Sequence, residues 1–206
     1  MYNPSHFTEG DAAIIEQVML DHPLATLVAM TGAGLTANHL PLLRDGDDFL
    51  GHLALANPLH RDLPDGAPVL AIFRAADSYV SPNWYPSKAE THMAVPTWNY
   101  QVVHVHGRIW WSHADRDKRR AVSALTTHHE RAANGAAAWR MGDAPVDFLT
   151  EKLAQIVAFH LQVDRIEAKS KLNQNRSAAD IAGVASAVEA RGNAALARAM
   201  REGAPR

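Results

Sequence analysis

Three prolines within Tyr79–Tyr100 (YVSPNWYPSKAETHMAVPTWNY) limit what the middle of this chain can become. Pro82, Pro86 and Pro96 each hold φ near about −65° and remove a backbone donor, so the stretch is neither one helix nor a central strand. It also carries two of the five tryptophans and three of the four tyrosines, too much ring surface for a casual loop. Extended backbone presenting Tyr hydroxyls, Trp faces and the amides of Asn83 and Asn99 suits a flat, partly polar aromatic ligand. The same rings also suit a plug over the edge of a core, and composition leaves both readings open.

The rest of the chain sets the frame for that stretch. Its 206 residues make one large domain, or one domain with an appendage, and suffice to bury a core without staples. A formal net charge of −2 gives no overall footprint for nucleic acid or an anionic membrane. The lack of cysteine excludes disulfides and thiolate-bound metal and fits a reducing compartment. MYNPSHFTEGD has no basic-then-apolar leader pattern and no apolar run nears spanning length, so the expected location is the cytoplasm, with no membrane partner.

Tyr2, Pro4 and Phe7 read as an extended arm, and Thr8 as the N-cap of a helix ending at His22-Pro23. Leu24–Met30, Leu35–Leu43, Phe49–Leu55, Val69–Phe73 and Gln101–Trp111 read as strands, separated by turns such as Thr31–Gly34 and Asp45–Asp48. Pro41 places the end of the second strand at an edge or bulge. Helical periodicity covers Arg119–Asn134 and Val146–Leu161, and Gln162–Lys171 alternates as a last strand. Ser177–Met200 is Ala-rich and helical, with an interruption at Gly192-Asn193. Strands at about ten-residue spacing predict an antiparallel sheet or small barrel, mainly β with α. A division into residues 1–184 and a C-terminal helix and tail, 185–206, follows from the change in composition.

Few residues carry recognisable catalytic patterns. His104 and His106 share a strand face at i, i+2, a metal-compatible spacing, but no HExxH pattern or neighbouring carboxylate completes a site, so no metal is expected. No serine sits in a GxSxG elbow. Polar residues inside or at the ends of apolar strands form the more useful set: Asn38, His39, His52, Asn57, Ser81, Thr97, Asn99, Lys171, Gln174 and Asn175. Hydroxyls and amides of this kind hold a phosphate or the polar edge of a ring, and Lys171 or Arg61 supplies positive charge.

The blocks MYNPSHF, NHLPL, GHLALANP, SYVSPNWY, VPTWNY, VHG and KLNQNRS, in this order and spacing, resemble the PaiB-type FMN-binding negative transcriptional regulators, from the first residue to about Asp180. The resemblance implies an FMN-binding split β-barrel with flanking helices, related to the pyridoxamine-phosphate-oxidase and flavin-reductase-like folds. It also implies a homodimer with FMN at the interface. Carried onto this chain, it places His39, His52 and Asn57 at the flavin site, Ser81, Tyr85, Thr97, Trp98 and Asn99 along the pocket, and Lys171, Gln174 and Asn175 at its phosphate or ring edge.

One departure stands out. Related barrels commonly present an arginine and a lysine to the phosphate from the second strand, which here reads LTANHLPLL. Alternatives therefore stay open: an FMN-dependent oxidoreductase or flavin reductase acting on a small molecule, or haem bound through a histidine, as in split barrels of the HugZ type. DNA as a partner rests on a loose run of C-terminal basic residues and is weakly supported, since no helix-turn-helix is visible.

Overall fold

Alternation of apolar and polar residues dominates the first half of the chain and yields strands. The computed structural model describes residues 1–203. Its strands are β1 (Leu24–Thr31), β2 (Gly34–Pro41), β3 (Leu43–Asp45), β4 (Asp48–Ala54), β5 (Ala67–Val80), β6 (Thr97–Ser112) and β7 (Ile156–Lys171). They form one antiparallel sheet in the order β2-β1-β5-β6-β7-β4-β3. The helices are α1 (Ala12–Asp21), α2 (Leu59–Asp62), α3 (Lys88–Thr91), α4 (Asp115–Asn134), α5 (Val146–Ala154), α6 (Ala178–Glu189) and α7 (Ala194–Glu202). None of them is long and apolar enough to cross a membrane. The chain divides into two compact units. The first comprises Met1–His22, Phe73–His104 and Glu167 onward; the second comprises Pro23–Ile72 and Val105–Ile166.

In the second unit β1 and β2 pair from Leu24↔Pro41 to Thr31↔Gly34, closed by the expected turn with Gly34 at φ 108°. Ala25, Leu27 and Ala29 point inward and are buried, while Leu24, Met30 and Leu35 on the other face are 64%, 62% and 74% exposed. Pro41, lacking a donor, ends β2, and the chain resumes as β3 after Leu42. Gly107 permits the closest approach in this unit: a Cβ there would lie 2.2 Å from the carbonyl oxygen of Gln162. Helix α4 covers one sheet face through Ala121 and Leu125, packed with Leu50 and Ala158.

Two expectations fail in this unit. Helix α5 stops at Ala154, and Ile156–Leu161, read as helix from its period, begins β7 and pairs with β4 from Ile156↔Ala54 to Leu161↔Phe49. IVAFHL is rich in β-branched and aromatic residues, and sheet pairing overrides the weak helical frame. Strand β5 is also far longer than Val69–Phe73.

In the first unit the N-terminal arm lies along β7: Thr8 bridges Lys169, and Glu9 N donates to Ala168 O at 3.0 Å. Asp11, not Thr8, caps α1, accepting from Ala13 N at 2.8 Å; the bridge holds Thr8 in extended backbone away from the helix. The proline-rich stretch begins and ends as strand, with single turns at Pro82–Trp84 and Lys88–Thr91 between. Ser81 caps the first of these through Asn83 N, and Pro82 sits at the first turn position, where its missing donor costs nothing. Along β5, Phe73 and Val80 are both fully buried although seven residues apart. Val80 belongs to the cluster beneath α6 and α7, which does not include Phe73, so β5 is covered at both places. Between them Arg74 and Asp77 pair at 2.6 Å.

Helices α6 and α7 close the core of this unit, where Val80, Tyr85, Leu172, Ile181, Val184, Val188, Leu196 and Met200 form one buried cluster. Gly183 lets α6 approach the turn after Ser81: a Cβ there would stand 2.6 Å from Trp84 O.

Candidate functional site

Strand β6 carries two different faces through the first unit. Asn99 and Val103 point inward and are 0% and 1% exposed, whereas Trp98 stands outward at 52%. Tyr100, Val102 and His104 share the outward face with Trp98, and with Arg74, Asp77 and Met1 they line an open groove of about 500 Å³. Trp98 is held edge-on to Tyr79, which is edge-on to Trp84. The wall is aromatic and its polar groups are few, the pattern of a small-molecule site.

Two lysines on one face of β7 add charge. Lys169 is buried and donates to Tyr2 O at 3.2 Å, with its ammonium 5.6 Å from the ring centres of both Tyr2 and Tyr100. Lys171 donates to Thr97 Oγ1 at 2.5 Å. Burial, and then the neighbouring Lys169 charge, push the Lys171 ammonium below the usual lysine range. An anion beside the pair would offset the repulsion between the two ammonium groups. The second strand lacks the cations expected there; β7 carries cations instead. Glu167, on the same face, accepts from the Met1 ammonium at 2.7 Å and lies within 4.8 Å of a ring nitrogen of His104. His104 thus has a neighbouring carboxylate that the sequence did not reveal.

The other candidates of this unit lie outside the groove lining. Tyr85 is buried in the helical core and its hydroxyl donates to Asn173 Oδ1 at 3.5 Å; burial raises its phenol above the ordinary value. Asn99 donates to Met200 Sδ at 3.6 Å. Gln174 accepts from Leu172 N and donates to Ser170 O, stapling the turn after β7. Ser81 is a cap, and Asn175 is exposed on the same turn. Asp180, which sequence reasoning passed over, is 4% exposed and accepts from both Ser87 N (3.0 Å) and Ser87 Oγ (2.8 Å).

In the second unit His39 is exposed on β2 and bonded to Thr26 Oγ1 at 3.1 Å. Asn57 donates to Asn38 Oδ1 at 2.8 Å and accepts from Leu59 N, fixing the loop after β4. His52 has its Nδ1 buried without a hydrogen-bond partner, and burial pushes its pKa below the ordinary imidazole value.

Of the candidates, the structure places Trp98 in the open groove and pairs Thr97 with Lys171 in the same unit. It joins to them Tyr100, Arg74, His104 and Lys169, which the sequence left outside the candidate set. The period-two run 98, 100, 102, 104 was the signal for four of the groove positions; nothing in the sequence pairs Arg74 with that face.

Comparison with known proteins bears on this arrangement. A family described as "Putative FMN-binding domain" matches residues 1–165. The protein "Protease synthase and sporulation protein PAI 2" of Bacillus subtilis is 30% identical over 185 residues, covering 87% of this chain and 85% of that one. Among solved structures, the FAD and haem binding protein from Mycobacterium smegmatis superposes with a TM-score of 0.58 at 21% identity, covering 80% of this chain and 73% of that one. The flavocytochrome Anf3 from Azotobacter vinelandii does so with a TM-score of 0.60 at 13% identity, covering 80% and 69%. At these identities the structural likeness speaks for the fold, a split β-barrel of the flavoprotein type.

Proposed function

Because the chain belongs to the PaiB-type family of FMN-binding domains, we propose that it is a dimeric, flavin-dependent regulatory protein whose FMN lies in the outer groove of β6. The observation that carries this placement is the aromatic groove of Trp98 and Tyr100 with the Lys171–Thr97 pair in the same unit. In this reading Trp98 and Tyr100 cover the ring system, Arg74 and His104 meet its polar edge, and Lys171, backed by Lys169, holds the phosphate. Bound FMN would supply electron transfer; the protein supplies position and polarity.

Dimerisation draws support from the outward face of β1 and β2. Leu24, Met30 and Leu35 leave an apolar strip there, with His39 on the same face. Exposed apolar area of this kind marks an association surface, and the face suits a second copy, which would bring its own His39 to the interface. Negative regulation of transcription is inherited from the family resemblance, with DNA contact direct or through another protein.

A second reading has its own observation. His104 stands in the groove with a ring nitrogen near Glu167, and two proteins of the same fold are named for haem or as a flavocytochrome. Haem bound through His104, or an FMN-dependent reductase activity, would fit that geometry.

Absorbance spectra of the purified protein during FMN titration, with haem as competitor, separate these readings. Flavin bands shifted from those of free FMN and retained through gel filtration support the FMN groove. A Soret band with no flavin uptake sinks it. Sedimentation of the same sample tests the dimer.

A further inference from the structure

A second cavity lies wholly within the second unit, where the first turns of α4 meet β4, β6 and β7. Its volume is about 450 Å³, within the range of small-molecule sites. The floor is apolar, made by Leu50, Ala121, Ala158 and Phe159. Water on such a floor lacks hydrogen-bond partners, while a hydrocarbon body gains by covering it.

The rim has the opposite character. Asp45, Asp48 and Asp117 line it with Arg120 and His160, and Arg44 and Arg116 stand close to Asp48 and Asp117. Arg120 Nη2 bonds both oxygens of Asp45, at 2.8 and 2.7 Å. Asp48 accepts from Val163 N at 2.9 Å and pairs with His160 Nε2 at 3.0 Å. Burial raises the pKa of Asp48, but these bonds outweigh it and hold the carboxyl below the usual range. Asp117 accepts from Ser112 Oγ at 2.7 Å. Arg116 bonds its other oxygen but is itself 92% exposed, a weak screen in solvent. Asp48 and Asp117 are both held below the usual carboxylate range, and their oxygens keep unused lone pairs.

An aromatic wall completes the cavity. Trp111 is locked by its Nε1 donation to Leu63 O at 2.9 Å and by edge contact with Phe159. Trp110 remains 42% exposed beside it. We propose that this cleft is a second binding site, taking a small organic cation: an ammonium group at Asp117 and Asp48, with a hydrocarbon or ring body on the Leu50–Phe159 floor beside Trp110.

The alternatives fit less well. An anion would meet the carboxylates of Asp48 and Asp117 while Arg120 is already held by both oxygens of Asp45, and the positive end of α4 is already met by Asp115 and Asp117 in its first turn. A metal ion would have to displace the hydrogen bonds that occupy each carboxylate. An ammonium adds to them, and indole rings attract cations.

The test is calorimetric titration of the full chain, with FMN added, using 2-phenylethylammonium and two matched probes, neutral 2-phenylethanol and anionic phenylacetate. Saturable binding of the ammonium, at least about tenfold tighter than either matched probe, is expected. Asp117→Asn keeps an acceptor for Ser112 and should weaken the ammonium by about tenfold while FMN uptake stays unchanged. No saturable heat, equal affinity for the three probes, or an unchanged Asp117→Asn titration would overturn the proposal. Should Asp117→Asn fail to fold, Trp110→Leu serves in its place, with a weaker ammonium titration expected and an unchanged one equally damaging. No lining residue of the flavin groove belongs to this cleft, so failure of either site leaves the other standing.

Discussion

Two regions of the first unit use the same residue types in opposite ways. Around α6, Tyr85, Ser87, Gln174 and Asp180 direct their polar atoms at neighbouring side chains or at backbone, while Asn173 Nδ2 stays buried without a hydrogen-bond partner. On the outer face of β6, Trp98 and Tyr100 cover open space, and Lys171 has a single hydroxyl partner and a depressed pKa. Hydrogen bonding is mostly satisfied in the first, whereas the second sets a charged side chain beside exposed rings. Residue type alone does not separate the two.

The sharpest way to break this contrast is at Asp180. Asp180→Ala leaves both donors of Ser87 without their acceptor in a mostly buried place, a loss of about 2–4 kcal/mol. Thermal melts should show it, while FMN affinity of the folded fraction stays as it was. The Asp180 carboxyl feels burial raising its pKa, but the Ser87 amide and hydroxyl, Ser177 and Arg176 outweigh that and hold it low. A depressed carboxyl contributes stability that is full above the unfolded value of about 3.9 and is lost as pH falls through the folded one. Asp180→Asn should therefore flatten the acid limb of a stability–pH curve; an unchanged limb would remove Asp180 from the frame.

Trp98→Ala acts on the other side of the contrast. Loss of an exposed ring should weaken FMN by about tenfold or more, roughly 1.5–2 kcal/mol, with little change in melting because half of Trp98 already faces water. His128→Ala, on α4, is the matched control and should leave the flavin titration unmoved. Next in size is Lys171→Gln. It should cost FMN about 1–2 kcal/mol and riboflavin almost nothing, since only FMN carries the phosphate. Added salt should shrink the wild-type preference for FMN over riboflavin and leave that of the variant flat; a parallel loss for both ligands would place the phosphate elsewhere.

Much of the fold was legible in the sequence because its signals are local. The 31–34 turn, the break at Pro41, the alternation through 101–111 and the interruption near Gly192 each depend on a few neighbouring residues, and all reappear. Ile156–Leu161 was misread because its partner, β4, lies a hundred residues away in sequence, and pairing decides its state. The groove was half legible. Trp98 belongs to a recognisable block, whereas Arg74 lies on another strand and no local pattern pairs it with β6. Tyr85 and Asn99 carry the right chemistry for a pocket, yet a side chain's face is settled by packing against α6 and α7 that the motif does not contain.

Gln174 gives the smallest effect and the closest test of where frame ends and site begins. It lies in the KLNQNRS block, and its amide would serve a flavin edge as readily as a backbone. In the structure both ends of that amide are engaged: Oε1 accepts from Leu172 N at 2.8 Å and Nε2 donates to Ser170 O. Between them Asn173 takes φ 70°, a left-handed turn that the staple helps to hold. Gln174 is only partly buried, so water can replace much of what Gln174→Ala removes, and about 0.5–1.5 kcal/mol of stability should go. The FMN titration should not move. If it moves and the melt does not, the amide belongs to the ligand, and the boundary drawn at Lys171 must shift past Asn173 into the turn.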